Sequence, residues 1–213
     1  MPTPRQSPAA RFAALPPAEQ AIWLDPAEAE FCQHGFQRAS MNRILAHAGQ
    51  SKGRSYHYFA DKAALYRATL LRAFARVEGL DDTPVLQAQD AQEFWARAVG
   101  LAAALAAALQ RDAALDALLR GLFDDKAAQN AMAEPLEQLR ARVAAMIVAG
   151  QYKGAVRRDL PVPLLCEVTL GLARILDRWF ADAAPNLPPE HAADLSQRAF
   201  GLLIAPLLPP DPA

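Results

Sequence analysis

Apolar positions along this chain recur every three or four residues, which is the spacing typical of amphipathic α-helices. The first such pattern covers about residues 18–34, and its apolar positions include Trp23, Leu24, Ala27 and Phe31. Gly35 predicts the end of this helix, because glycine readily adopts the left-handed conformation of a helix cap. The run from Asp25 to Glu28 is itself typical of a helix start. Pro26 therefore either kinks the helix or begins it, and we expect a kink or a short preceding turn.

Two short helices are predicted next. Ser40 is a suitable N-cap for a helix of about seven residues, which ends at a break that contains Gly49. Ser51 is a second N-cap, for a helix that runs to about Phe59, and Asp61 caps a longer helix after it. Two short helices that are joined by a glycine-containing turn and flanked by supporting helices predict a helix-turn-helix.

The remainder of the chain shows further helical patterns that are separated by turn signals. Its last two helices are predicted at about residues 163–183 and 190–207. The pattern divides the chain into a proline-rich flexible arm (1–17), a helix-turn-helix domain (18–80), a linker (81–84), a helical domain (85–207) and a tail (208–213).

Composition supports an all-α fold. The 213 residues include 48 alanines, the best helix former, but only 17 β-branched residues. This ratio argues against sandwiches, barrels and βαβ folds. No apolar run approaches the roughly 18 residues of a membrane span, and no signal peptide is evident. The two cysteines lack metal-site spacing. We expect a cytoplasmic protein with no membrane partner, no cofactor and no metal.

The charge is unevenly distributed. The net charge is −1, yet residues 38–76 carry eight basic side chains and one acidic side chain. A compact basic segment joined to an acidic remainder suggests a head that binds a polyanion.

The second short helix carries the residues best suited to reading DNA, because a recognition helix presents its N-terminal residues to the base edges. Arg54 is the first candidate for sequence readout, since arginine pairs with two acceptors of guanine. Lys52 is suited to a phosphate contact or to both roles. Gly53 costs about 1 kcal/mol relative to alanine in a helix, which a close approach to DNA would justify. Ser55 either joins this face or packs against the preceding helix.

The run Ala48 to Gly53, with Tyr56-His57-Tyr58-Phe59 and Asp61-Lys62 after it, resembles the helix-turn-helix of the TetR family of transcriptional regulators. The resemblance covers about residues 18–76, and the later part matches only in plan. It implies phosphate or sugar contacts at Ser40, Tyr56, His57 and Lys62, while Tyr58 and Phe59 are assigned to the core. The expected DNA-binding residues are Ser40, Ser51, Lys52, Gly53, Arg54, Ser55, Tyr56, His57 and Lys62.

The resemblance also implies a homodimer on a pseudo-palindromic operator and a small-molecule effector. The residues that would line an effector pocket are Phe94, Trp95, Phe123, Met146, Tyr152, Cys166 and Thr169. The residues that would form the dimer seam are Val168, Leu172, Ile175, Trp179, Phe200 and Leu203. Plain core packing is the alternative for each residue of both sets.

Three other interpretations are weaker. The sequence has no zinc-protease, nucleophile-elbow, phosphate-loop or dinucleotide motif, which argues against an enzyme. An interaction module with a degenerate head conflicts with the dense basic run. Thiol sensing through Cys32 or Cys166 conflicts with their apolar helical settings. Repression is favoured over activation because blocking a promoter needs only occupancy, although the sequence is compatible with an activator.

Overall fold

A computed structural model of the protein describes residues 6–77, 81–183 and 187–210. Within these ranges the chain forms α-helices, a short 3-10 helix at Ala205–Leu207 and no strand, which confirms the all-α prediction. The helices are α1 (Pro8–Ala13), α2 (Pro17–Arg38), α3 (Met41–His47), α4 (Lys52–Tyr58), α5 (Lys62–Ala75), α6 (Thr83–Leu86), α7 (Ala91–Arg111), α8 (Ala113–Asp124), α9 (Lys126–Ala131), α10 (Ala133–Tyr152), α11 (Val162–Ala183) and α12 (Pro189–Ile204).

The helices group into two compact units. The first unit contains the described residues up to 77 together with 106–134, and the second contains 81–105 together with 135–210. This grouping differs from the division predicted near residue 80, because α8 and α9 belong with the N-terminal helices. The reason is a packing contact that no local pattern reveals: α8 lies against α2 and α5 and buries Leu115, Leu118 and Leu122.

The core of the first unit is centred on α2. This helix starts at Pro17 and continues through Pro26, so Pro26 does not begin it. Gly35 has φ 67° and ψ 175°, which breaks the helical geometry where the sequence predicts the helix end. The buried side chains of this core include Trp23, Leu24, Phe31, Ile44, Leu65, Tyr66 and Leu70.

The N-terminal arm is partly ordered, which corrects the prediction of a flexible segment over residues 1–17. Ser7 accepts a hydrogen bond from the amide of Ala10, and Pro8 occupies the first helical position of α1. Phe12 is buried, so the helix is held by packing as well as by its cap. Residues 1–5 lie outside the described part.

The second unit is built around α7, α10 and α11. Its core contains Phe94, Val143, Ile147, Val156 and Leu165. The predicted linker at 81–84 includes the start of α6, where Asp82 forms an ion pair with Arg142 of α10 at 2.8 Å. Residues 78–80, 184–186 and 211–213 lie outside the described part; they include the end of the predicted helix-turn-helix domain, the segment between the last two predicted helices and part of the predicted tail.

In the described ranges no single helix has both the length and the apolar character needed to cross a membrane, although α7 and α8 pass that criterion when they are joined across the bend between them.

Candidate nucleic-acid interface

The turn between α3 and α4 is closed by backbone hydrogen bonds. The amide of Gly49 donates to the Ala46 carbonyl at 3.2 Å, and the amide of Gln50 donates to the Leu45 carbonyl at 2.9 Å. Gly49 has φ 63°, a left-handed conformation that side-chain-bearing residues rarely adopt. This pair of bonds is the Schellman motif, and it turns the chain sharply from α3 into α4.

Each helix of the motif starts at the residue that the sequence predicts. The hydroxyl of Ser40 accepts from the amide of Arg43 at 3.4 Å, and the hydroxyl of Ser51 accepts from the amide of Arg54 at 3.3 Å. Asp61 accepts from the amide of Ala64 at 2.8 Å. These caps satisfy amides that have no partner inside their own helix.

Helix α4 exposes most of the residues that the sequence assigns to DNA. The exposed side chains of α4 and its cap are Ser51, Lys52, Arg54, Tyr56 and His57, and the backbone at Gly53 is also exposed. Tyr56 is 59% exposed although it is large and aromatic. The face therefore carries two cationic side chains, several hydrogen-bonding groups and the exposed backbone of one glycine.

Ser55 does not belong to this face, which corrects its assignment to DNA binding. The residue is only 1% exposed, and Phe59, one helical turn later, is 2% exposed. Residues four apart lie on the same side of a helix, so Ser55 and Phe59 together form the buried side of α4. The core assignment of Phe59 is confirmed, and half-buried Tyr58 packs edge-on against Trp23.

Lys62 lies at the junction of α2 and α3. Its ammonium group donates to the carbonyl oxygens of Gln37 at 3.0 Å and Ala39 at 3.1 Å. It also lies 4.8 Å from the centre of the Phe36 ring. The side chain thus has a structural role that the sequence did not reveal, and two of its three N–H donors are used in these contacts.

A buried carboxylate lies near this junction, at a position that the sequence pattern does not predict to be functional. Glu30 is 6% exposed and accepts from the amide of Ser40 at 2.7 Å and from the guanidinium of Arg43. The hydrogen bond from Arg43 holds the pKa of Glu30 below its usual value, against the opposing effect of burial. The sequence does contain one indication of this burial, because Glu30 precedes Phe31 and lies on the apolar side of α2.

The residues predicted to line an effector pocket are only partly brought together. Phe94, Trp95, Met146 and Cys166 all contribute to the core of the second unit. The indole N–H of Trp95 donates to the Ala155 carbonyl at 3.1 Å. The Thr169 hydroxyl lies one turn beyond Leu165 and donates to its carbonyl oxygen at 2.7 Å.

Two predicted pocket residues lie elsewhere, which corrects their assignment. Phe123 belongs to the first unit, because α8 groups with the N-terminal helices. Tyr152 is 80% exposed on a surface recess beside Arg157 and Arg158. Helical periodicity alone does not show which of two cores an aromatic residue joins.

The predicted seam residues lie on α11 and α12, which pack against each other. Ile175 is 60% exposed and Trp179 is 49% exposed, while Val168, Leu172, Phe200 and Leu203 are half-buried. Trp179 and Leu202 also border an apolar groove of about 350 Å³ between the two helices. Exposed apolar side chains of this size are a common feature of surfaces that bind another protein, and the dimer seam stays a prediction.

Neither thiol has the environment of a reactive cysteine. Burial raises the pKa of Cys32 to about 11, and the nearby carboxylates of Glu28 and Asp112 add to the shift. Burial also raises the pKa of Cys166, with Glu167 contributing. Both thiols are therefore protonated at neutral pH, whereas the thiolate is the reactive form.

Comparison with known proteins identifies the N-terminal domain. Residues 24–69 match the family model described as bacterial regulatory proteins, tetR family. The matched segment contains all of α3 and α4 and begins inside α2. No curated protein matches the chain. The helix-turn-helix is thus a TetR-family domain, which confirms the resemblance noted in the sequence.

Solved structures share the fold over most of this chain. FadR of Bacillus subtilis, in complex with stearoyl-CoA, has a TM-score of 0.66 at 16% identity and covers 87% of this chain and 98% of its own. A protein of Pseudomonas aeruginosa PAO1 assigned as a transcriptional regulator has a TM-score of 0.66 at 21% identity, over 93% and 97%. A protein of Mesorhizobium loti assigned to the TetR family has a TM-score of 0.61 at 22% identity, over 94% and 96%. The likeness confirms a TetR-like fold with a helix-turn-helix and a larger C-terminal helical domain.

Proposed function

We propose that this chain, which has the N-terminal domain and the fold of the TetR-family transcriptional regulators, is a homodimeric repressor that a small molecule releases from its operator. The exposed face of α4 carries the proposal. Lys52, Gly53 and Arg54 stand at its start, and Tyr56 and His57 follow on the exposed surface. This face combines a guanidinium for base readout with groups that bind phosphate.

The contacts divide into two kinds. Arg54 reads a guanine, because its planar fork matches the two acceptors of that base in the major groove. Lys52, Tyr56, His57, Ser40 and Lys62 contact phosphate or sugar and set the orientation of α4. Ser51 caps the helix and lies close enough to its exposed start to add a polar contact.

The exposed apolar surface of α11 and α12 supports a homodimer. Ile175 and Trp179 occupy positions four apart on α11, so they form one apolar stripe. A two-fold axis through this surface would present two copies of α4 to the two half-sites of an inverted repeat.

The second unit is the proposed site of the effector. Its core has a half-buried rim that includes Trp95, Leu101, Met146 and Leu170. Methionine and aromatic side chains can repack around an apolar ligand. The effector lowers DNA affinity only as far as it binds one arrangement of the dimer more tightly than the other. To change the ratio of the two arrangements from 1:99 to 99:1, this difference in binding free energy must be about 5.5 kcal/mol.

The first test is selection of bound duplexes from a random pool by the purified protein. We expect an inverted-repeat site. Arg54→Ala should then weaken binding by about 1–3 kcal/mol on that site and relax the preference at one base position of each half-site. Arg111→Ala, which removes an exposed positive charge from the end of α7, is the control of equal charge. Sequence-blind binding by the wild type would contradict the proposal.

The effector is tested separately. Compounds are first screened for stabilisation of the protein, since a ligand of the native state raises its unfolding temperature. Stearoyl-CoA, the ligand of the similar FadR structure, is included as one probe. A stabilising compound should also release the operator. If saturating amounts of every stabilising compound leave operator affinity unchanged, the ligand-responsive part of the proposal is wrong.

A further inference from the structure

We infer that Arg11, on the short helix α1, is a positioning residue that holds the recognition helix in its DNA-binding geometry. The inference rests on the proposed DNA-binding function. It concerns a segment that precedes the residues matched by the family model, which begin at 24.

Helix α1 packs directly against α4. Phe12 of α1 lies 4.6 Å from Phe59 and 6.0 Å from Tyr58, measured between ring centroids. Trp23 of α2 lies within 5.8 Å of the same two rings. The last turn of α4 is therefore enclosed by aromatic side chains from two other helices, and one of these helices is α1.

Arg11 adds a directional contact to this packing. Its Nε donates to the carbonyl oxygen of His57 at 3.0 Å, and its Nη2 donates to the same oxygen at 2.8 Å. His57 lies in the last turn of α4, where carbonyl groups have no amide partner within the helix. A guanidinium at this end satisfies the carbonyl and also lies favourably in the field of the helix.

The hydrogen bonds from Arg11 connect α1 to the backbone of the helix that carries the proposed DNA-binding residues. The carbonyl that Arg11 holds belongs to His57, whose exposed side chain is a proposed phosphate contact, and it lies in the same short helix as Arg54. A seven-residue helix has few internal hydrogen bonds, so an external anchor at its end restricts fraying.

Arg11 acts by position and not by touching DNA. Its Nε and Nη2 are engaged by His57, and its Nη1 donates to the carbonyl oxygen of Gln6. Each of the three guanidinium nitrogens therefore donates to a backbone oxygen, which engages three of the five N–H donors within the protein. Removal of Arg11 should therefore loosen α4 without removing a phosphate contact.

The test measures hydrogen exchange of residues 51–59 in the free protein and operator affinity over a range of salt concentrations, for wild type and Arg11→Ala. We expect faster exchange in α4 and about three- to tenfold weaker operator binding, as for loss of a charge-assisted hydrogen bond. The dependence of log affinity on log salt concentration should keep its slope. Arg11→Lys keeps the positive charge but loses the planar guanidinium, so its exchange and its operator affinity should lie between those of wild type and Arg11→Ala. Arg111→Ala should match wild type in both.

Two results would overturn the inference. One is unchanged exchange and affinity in Arg11→Ala. The other is a salt slope reduced by about 0.9, which would mean that Arg11 contacts a phosphate directly. If Arg11→Ala does not fold, as judged by circular dichroism, the same comparison is made with Arg11→Lys. Failure of the wild type to select any DNA sequence would instead contradict the proposed function, and the exchange of α4 would still report whether Arg11 anchors it.

Discussion

Arg43 on α3 binds the buried carboxylate of Glu30 on α2 through two of its guanidinium nitrogens. Its Nε lies 2.9 Å from Oε1 and 3.1 Å from Oε2 of Glu30, and its Nη2 also donates to Oε1. The same guanidinium donates to the Arg38 carbonyl at 3.0 Å. The Ser40 amide donates to Glu30 as well. Through these contacts Glu30 and Arg43 link the end of α2 to the N-cap and to the body of α3.

Replacement of Glu30 tests this link. Glu30→Gln keeps the shape but removes the charge, so the hydrogen bonds from Arg43 become weaker and the buried site is less well satisfied. We expect the free energy of unfolding to fall by about 1–3 kcal/mol, measured by urea denaturation at neutral pH. Glu19→Gln, at an exposed position of the same helix, is the control and should have little effect.

The pH dependence of the wild type follows from the same contact. The native pKa of Glu30 is lowered from 4.5, chiefly by the hydrogen bond from Arg43, with the Ser40 amide and the charge of His34 adding to it. The unfolded chain therefore binds a proton at higher pH than the native protein. The stabilisation is complete above the unfolded pKa and is lost as pH falls through the native value. The stability difference between wild type and Glu30→Gln should shrink below about pH 4, and a constant difference would exclude this role.

Gly53→Ala separates folding from DNA binding. A Cβ at this position meets nothing within 4 Å, so alanine should stabilise α4 by about 0.5–1 kcal/mol. In the complex the added methyl group would stand between α4 and DNA, and we expect affinity to fall about tenfold, or 1.4 kcal/mol. The two effects have opposite signs and are measured by denaturation and by operator titration.

Gly121→Ala is the matched control for that substitution. Gly121 lies in α8, also with nothing within 4 Å of an added Cβ, so the variant should gain stability and keep its affinity for the operator. Full operator affinity in Gly53→Ala would show that DNA does not approach this backbone closely.

Lys62 should contribute to both stability and DNA affinity. Lys62→Met keeps the aliphatic stem and removes the donors to Gln37 and Ala39, so we expect a loss of about 1 kcal/mol in the free energy of unfolding. Binding to operator and to random DNA should weaken alike, with a salt slope reduced by about 0.9. Unchanged stability would contradict the structural contact, and an unchanged slope would contradict the phosphate contact.

The features that the sequence predicted correctly are local. The caps at Ser40, Ser51 and Asp61, and the break at Gly49, depend on residues within five positions of each other, so the local pattern was sufficient. The same rules apply to Ser7 and Pro8, although a proline-rich context obscured the helix that they begin.

The incorrect assignments depend on contacts between distant residues. Ser55 has a polar side chain, which suggests exposure, but it is buried because other helices pack against its side of α4. Phe123 and Tyr152 have the character of pocket residues, but one joins the other unit and one lies on the surface. The fork of Arg11 onto His57 spans 46 positions along the chain, so no periodicity could reveal it.

Gly150 is required by packing in the second unit. A methyl group at this position would lie 2.5 Å from Cγ2 of Val156 and 2.8 Å from Cζ of Phe94, both inside the core. Gly150→Ala should therefore destabilise the protein by about 1–3 kcal/mol, as measured by thermal or urea unfolding. Gly100→Ala, in α7 with open space around the added Cβ, should be neutral or stabilising. Equal free energies of unfolding for the two variants would mean that Val156 and Phe94 can move to accommodate the methyl group without loss of stability.

The oligomeric state can be tested at Ile175. This side chain is 60% exposed on α11, so a charge there should not disturb the fold of a single chain. In the proposed dimer it would be buried without a partner, which costs several kcal/mol and is counted twice across the two-fold axis. We expect Ile175→Glu to sediment as a monomer and to lose operator affinity while its circular dichroism is unchanged. Tyr152→Glu, at an exposed aromatic residue at the end of α10, is the control and should remain dimeric. A dimeric Ile175→Glu would place the seam on a different surface.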